Sequence, residues 1–304
     1  MDLYNFKIKL ALSALTFLFL LAPDKAIAQE APMLFKYWQY FSDAENTLYK
    51  YFCSRAMDQL SDRRHVIANL ATRSDWEAYR HEAGIKFKKL IGPMPSKTPL
   101  NPVITGKLKG EGFTVEKIIY ESMPGYPVTA AMFIPDKNTG RLPAVIYCSG
   151  HTTNGFRSET YQHVIINLVK KGFVVFAFDP VGQGERKQFF DPETGKSRFG
   201  PTHEHSYPGA QCFLTGYSPA LYFVWDGIRA VDDLLSRPEV DPERIGITGR
   251  SGGGTQSSFI GAVDARIRAA APENFITSYE YLLKSRGPQD GEQNFFHALA
   301  EGFD

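Results

Sequence analysis

Cysteine is scarce in this chain. Cys53, Cys148 and Cys212 stand far apart, odd in number and without C-x-x-C spacing, which excludes a disulfide framework and a thiolate metal site. Cys148 lies in an apolar run and reads as core, and a single Cys53 to Cys212 bridge stays open. An excess of either charge is also missing: 34 Lys and Arg meet 33 Asp and Glu. Near neutrality argues against a nucleic-acid partner, whose phosphates call for a basic surface. There is no internal repeat and no low-complexity tract. After residue 30 no stretch is long and apolar enough to read as a membrane span.

What is present begins with residues 1–30. Lys7 and Lys9 precede an apolar run at residues 10–22, and Ala26-Ile27-Ala28 stands just ahead of Gln29. This is the layout of a secretory signal peptide, with an apolar run shorter than a spanning helix needs and no lipobox cysteine at the cleavage site. Residues 1–28 are therefore expected to be removed. The mature protein is expected in a periplasm or outside the cell, without membrane contact after cleavage.

Residues 35–91 carry helical periodicity. Ser42-x-x-Glu45 and Ser74-x-x-Glu77 fit the capping box, and Trp76, Tyr79, Ala83, Phe87 and Leu90 follow the second at helical spacing as packing residues. Prolines 93, 95, 99 and 102 end the helices and predict an extended connector. That places a boundary between a helical N-terminal region, 29–102, and a domain at 103–304. In the latter, strands are predicted at 113–122, 128–134, 144–148, 173–178, 244–248 and 267–271. Helices are predicted at 159–171, at 221–235 and after residue 251. Two entry strands followed by strand-helix alternation imply an α/β fold with a mostly parallel sheet, in which ligands gather at the carboxyl ends of the strands. Residues 275–304 read as largely helical.

Gly249-Arg250-Ser251-Gly252-Gly253 fits G-x-S-x-G between an apolar strand (Ile245, Ile247) and a helical stretch. A serine held on a strained turn needs neighbours without side chains, so that the turn packs and the hydroxyl stands clear. Three segments follow predicted strands in order: Ser149-Gly150-His151-Thr152, Asp179-Pro-Val-Gly-Gln-Gly-Glu185 and the Ser251 turn, the last preceded by Asp241-Pro-Glu-Arg-Ile-Gly246. In these parts the chain resembles the α/β-hydrolase superfamily, and within it bacterial acetyl xylan esterase and dienelactone-hydrolase-like proteins. The resemblance spans about residues 113–273. It implies a mostly parallel sheet with helices on both faces, and a serine nucleophile at position 251 that forms an acyl-enzyme with the help of a histidine base. It also implies an oxyanion hole from the backbone N–H groups of Gly252 and His151, with Thr152 as the neighbouring candidate.

Other residues are weighed beside these. The His151 ring competes as the base, but in this fold its turn contributes backbone donors. Asp179 reads as a turn-capping carboxylate, and Glu273 is an alternative triad acid. Thr202-His203-Glu204-His205 lies in a Pro/Gly-rich stretch with no further ligand cluster nearby. It reads as a loop lining or covering the mouth of the site, so no metal and no cofactor is expected. Arg250 reads as half of a surface salt bridge or as a contact for an acidic substrate.

In the superfamily the acid and then the histidine follow the nucleophile. Here the only later histidine is His297, in a helical pattern. The expectation is a C-terminally incomplete hydrolase domain, lacking the final strands with the triad acid and base. Taken together, these readings favour a secreted serine esterase or deacetylase acting on a small or carbohydrate ester. A serine peptidase of the prolyl-oligopeptidase type shares the elbow, although its usual β-propeller has no counterpart here. A non-catalytic binding module is the alternative should the triad be truly incomplete.

Overall fold

The computed structural model describes residues 46–136, 140–285 and 290–304. The expected signal peptide and the Ser42-x-x-Glu45 box lie outside the described residues. Contacts divide the chain into Met1–Ser54 and Arg55–Asp304, and the architecture below is that of the second unit.

Two helices come first, α1 (Thr47–Ala68) and α2 (Arg73–Ile91). The capping box of α2 is Thr72-x-x-Asp75, not the expected Ser74-x-x-Glu77: Asp75 N donates to Thr72 Oγ1 at 3.2 Å and Thr72 N to Asp75 Oδ2 at 2.8 Å. The helix starts two residues early, so Ser74 falls inside its first turn and Glu77 pairs with Arg73. Trp76, expected to pack, is 48% exposed. The packing end of α2 is its last turns, where Phe87 meets Phe259 and Phe295, and Ile91 is fully buried. The helix therefore shares a core with the sheet across the proline-rich connector.

The strands are β1 (Val103–Lys109), β2 (Phe113–Met123), β3 (Tyr126–Pro135), β4 (Leu142–Cys148), β5 (Val174–Phe178), a two-residue pair β6 (Phe190–Asp191) and β7 (Lys196–Ser197), β8 (Val240–Arg250) and β9 (Ala269–Glu273). Seven of them form one mixed sheet in the order β1-β2-β3-β5-β4-β8-β9. β1 to β3 run antiparallel, and β5, β4, β8 and β9 are mutually parallel. β1 has no counterpart in the expected strands because it is an exposed edge, with Gly106 breaking its pattern and no alternation of burial.

Helices α3 (Glu159–Lys170), α4 (Pro201–Leu214), α5 (Ala220–Leu235), α6 (Gly252–Val263) and α7 (Tyr279–Ser285) complete the chain. Side chains alternate across the pleat, so the central strands β4 and β5 feed two cores. Ile146, Phe176, Phe178 and Ile247 join Val224 and Leu234 of α5 on one face. Tyr147, Val175 and Ala177 join Tyr161, Ile165 and Val169 of α3 on the other. Burial on both faces explains why these strands read as nearly continuous apolar runs. Gly227 is needed where α5 crosses α6, since a Cβ there would stand 2.1 Å from Ile260 Cδ1. The Tyr120 hydroxyl and Trp225 Nε1 anchor α5 to β2 through backbone carbonyls, at 2.9 and 2.8 Å.

The expected fold class is the one observed, and the differences are local. Residues 202–205, expected in a loop, lie in the first turns of α4; Pro201 at the start supplies the fixed φ that opens a helix, and Pro208 and Gly209 disguise its interior. Residues 275–304 hold only α7 and a short 3-10 turn at Gly291–Gln293 among the described residues, with turns at 296–302. Cys53, Cys148 and Cys212 are all free thiols, so the Cys53 to Cys212 bridge is not formed. Among the described residues no helix is long and apolar enough to cross a membrane.

Candidate active site

Parallel registry brings the carboxyl ends of the strands to one edge. Cys148 lies beside Phe178 on one side and Gly249 on the other, and Arg250 lies beside Glu273. The segments beginning Ser149, Asp179, Ser251 and Asn274 therefore emerge together.

Ser251 occupies the turn from β8 into α6 with φ 57 and ψ −120. This is a conformation that costs a residue with a Cβ of order 1–3 kcal/mol and persists only where its surroundings hold it. They do so through glycine. A Cβ at Gly249 would stand 2.3 Å from Cys148 O, and one at Gly253 2.0 Å from the same atom, so β4 and the start of α6 can approach only because both positions lack side chains. Ser251 N donates to Glu273 O at 2.9 Å, and Ser251 O accepts from Thr255 N at 3.0 Å. The serine is exposed at the head of α6. There the unsatisfied N–H groups of the helix's first turn and its dipole favour negative charge.

The β4 turn faces it. Gly150 packs so closely that a Cβ would lie 3.3 Å from Ser251 Cβ, and the His151 ring lies over Gly252. Thr152 N is already used, donating to Oε1 of the buried Gln183 at 2.6 Å. Among the described residues, no such bond is made by the backbone N–H groups of His151, in the turn packed against Ser251, and of Gly252, the residue after it. Thr152 is thereby removed as a candidate oxyanion donor.

Asp179 is buried and accepts from Thr129 Oγ1 and Arg157 Nη2, both at 2.7 Å, and from Glu185 N at 3.3 Å. Burial raises its pKa against the opposing effect of Arg157 and Thr129. Gly155 and Gly184 close around it, so it is an internal brace of the turn after β5. Glu273 contributes its carbonyl to the elbow, while its exposed carboxylate lies 4.0 Å from Arg250 Nε. Arg250 thus makes the surface pair expected of it. His297 sits in a turn at φ 63 with its side chain exposed, not in a helix. Among the described residues no histidine hydrogen-bonds Ser251 Oγ.

The residues 202–205 separate in space. His203 is exposed against Phe199 and Tyr207. Glu204 is buried and accepts from Gln188 N at 2.7 Å, Phe189 N at 3.3 Å and the Ser197 hydroxyl, bracing the 188–197 loop. His205 points inward, with Nε2 2.8 Å from Val181 O. Its Nδ1 lies 3.1 Å from His151 Nε2. Asp290 and Glu292 close on both rings: Asp290 Oδ2 is 2.8 Å from His151 Nε2 and 3.5 Å from His205 Nδ1, and Glu292 oxygens are 3.2 and 3.3 Å from the same nitrogens. Burial works to lower the pKa of each histidine, but the two carboxylates outweigh it and push His151 up to about 10 and His205 to about 9. Asp290 is held far below the ordinary carboxylate range by the two histidines, against its burial. A His151 ring engaged this way is an acid partner of carboxylates and not a free base. Asp290 and Glu292 carried no sequence signal beyond a D-x-E spacing near the end of the chain.

The acetyl xylan esterase (AXE1) family model matches residues 100–297. The chain belongs to the acetyl xylan esterase family. Its fold and family are those of carboxylic ester hydrolases. A Bacillus subtilis (strain 168) protein assigned as a hydrolase, YtaP, is 24% identical over 239 residues, covering 74% of each chain. Two solved structures share the fold. One is a Bacteroides fragilis NCTC 9343 protein assigned as an acetyl xylan esterase (BF1801), with TM-score 0.54 at 17% identity over 68% of this chain. The other is methylesterase BT1017, with TM-score 0.53 at 24% identity over 71% of this chain. The chain spans 57% and 45% of the length of these two proteins.

Proposed function

We propose that this member of the acetyl xylan esterase family is a serine esterase that removes small acyl groups, acetyl foremost, from carbohydrate esters. The observation that carries the reading is the Ser251 backbone, at φ 57 and ψ −120 between β8 and α6. In this reaction Ser251 Oγ attacks the ester carbonyl and its proton passes to a general base. The carbonyl oxygen becomes an anion between the N–H groups of His151 and Gly252. As that anion collapses, the alcohol leaves with a proton and an acyl-enzyme remains for water to hydrolyse. Both donors are backbone groups held by packed glycines, so they are in place before charge develops.

The test is hydrolysis of an aryl acetate and of acetylated xylo-oligosaccharides by the protein, compared with Ser251→Ala. Loss of turnover with an unchanged circular dichroism spectrum is expected. An alanine variant as active as the parent would refute the assignment. The same reading includes export, supported by the Ala26-Ile27-Ala28 pattern ahead of Gln29. Mass spectrometry of the exported protein should give a first residue at or beside Gln29, and a chain retaining Met1 would refute it.

A further inference from the structure

The geometry points to a metal site beside the proposed ester chemistry, which shares the His151 turn with it: we propose that His151, His205, Asp290 and Glu292 bind one divalent transition-metal cation of the zinc class. The four residues come from three segments, the β4 turn, α4 and the 3-10 turn at Gly291–Gln293 with Asp290 as its N-cap. One donor atom from each lies within 4.8 Å of every other.

The spacing is near that of a tetrahedral ion. Zinc binds imidazole nitrogen and carboxylate oxygen at ~2.0–2.2 Å, and donors at the corners of a tetrahedron of that radius lie about 3.3–3.6 Å apart. The separations given above, with Glu292 turning one oxygen toward each imidazole, run from 2.8 to 3.5 Å, and one donor from each residue lies within 4.8 Å of every other, so the donors surround one ion-sized point. Two imidazoles and two carboxylates are also the donor set that zinc and its neighbours in the series accept, whereas calcium and magnesium favour all-oxygen shells.

Burial provides the second, independent argument. Glu292, His205 and Asp290 are 1%, 2% and 7% exposed. Yet Asp290 Oδ2 and both carboxylate oxygens of Glu292 lack a hydrogen bond of acceptable geometry, although each lies close to an imidazole nitrogen. An imidazole N–H points along one direction in the ring plane and serves one acceptor well. A cation at the centre serves all of them at once. Leaving buried carboxylate oxygens unsatisfied costs their full desolvation, so the arrangement calls for such an occupant.

One ligand is already oriented from outside. The carbonyl of Val181 can only accept, so His205 Nε2 carries the hydrogen in their 2.8 Å contact and Nδ1 is left facing the cluster. This is the outer-shell bond that fixes the tautomer of metal-bound histidines. His151 is fixed on its other side by Gly252, where a Cβ would lie 2.6–3.1 Å from ring atoms. The cation would tie the turn that carries the His151 N–H to α4 and to residues 290–292.

The test uses the full chain, stripped with EDTA and dialysed, then titrated with zinc alone by calorimetry, with metal content of the purified protein measured by mass spectrometry. One saturable site per chain is expected, with a higher thermal midpoint in zinc than in EDTA. Co²⁺ loading should give the visible absorption of a four-coordinate ion. Glu292→Gln and His205→Ala should each weaken zinc binding at least tenfold and abolish the cobalt band, while His203→Ala, exposed on the same helix, should change neither. Should a ligand variant fail to fold, the stoichiometry and cobalt spectrum of the parent protein decide alone. Absence of a one-to-one site in the parent, or parent-like affinity in folded Glu292→Gln, would overturn the proposal and leave a quartet closed by protons.

Discussion

Replacing Ser251 separates its two properties, a reactive hydroxyl and a strained backbone. At φ 57 and ψ −120 the residue carries a Cβ in a region that favours glycine, at a cost of order 1–3 kcal/mol. Ser251→Gly removes that cost. It also gives the unfolded chain more freedom, which destabilises by ~0.4–1 kcal/mol. The difference is a net gain of roughly 1 kcal/mol, which for a domain of this size raises the melting temperature by ~2–4 °C. Ser251→Ala keeps the Cβ and loses only an exposed hydroxyl, so its stability should stay within ~0.5 kcal/mol of the parent. Both variants should lose hydrolysis of aryl acetate. The assay is thermal and urea unfolding of parent, Ala and Gly proteins side by side. Ser251→Gly melting at or below Ser251→Ala would show that the elbow stores no strain and would remove the physical basis for reading Ser251 as a poised nucleophile.

Further outcomes follow from single side chains. Gly253→Ala should destabilise by about 3 kcal/mol or more, because its Cβ would fall 2.0 Å from Cys148 O, a backbone atom that cannot yield; Gly84→Ala, with nothing within 4 Å in the interior of α2, should stabilise by ~0.5–1 kcal/mol. Urea unfolding distinguishes the two. Phe87→Ala should cost about 2 kcal/mol by opening the contact with Phe259 and Phe295, whose ring centroids lie 5.2 and 5.7 Å away. Burial would raise the pKa of Glu116, but its bonds to Lys107 and Arg237 lower it below the ordinary 4.5. A depressed folded pKa gives stability that is present above the unfolded value and lost as pH falls through the folded one. Stability of the parent should therefore fall more steeply below pH ~4.5 than that of Glu116→Gln, and parallel curves in acid titrations would refute the pairing.

Residues 244–255 let the nucleophile be read directly because everything it needs is local: an apolar strand, glycines on both sides of the serine and the start of a helix in one contiguous stretch. The strands β4, β5 and β8 and the helices α3 and α5 were legible for a related reason, since burial on one or two faces imprints a period on neighbouring residues. β1 left no such imprint, as an edge exposed on both sides has no period to show. α4 was hidden by Pro208 and Gly209, whose helix-breaking tendency was overridden by packing at Glu204 and His205. The choice of Thr72 over Ser74 as the cap of α2 was equally beyond the sequence, because both patterns satisfy the same local rule. Above all, the meeting of His151, His205, Asp290 and Glu292 belongs to tertiary structure alone. These residues are up to 141 positions apart, by the difference of 292 and 151. No spacing rule links them, because their distances are set by how the β4 turn, α4 and the 290–293 segment pack at the carboxyl edge of the sheet. Local chemistry can be written in a few adjacent residues, whereas a cluster assembled across the fold exists only once the sheet and helices have fixed where the chain returns.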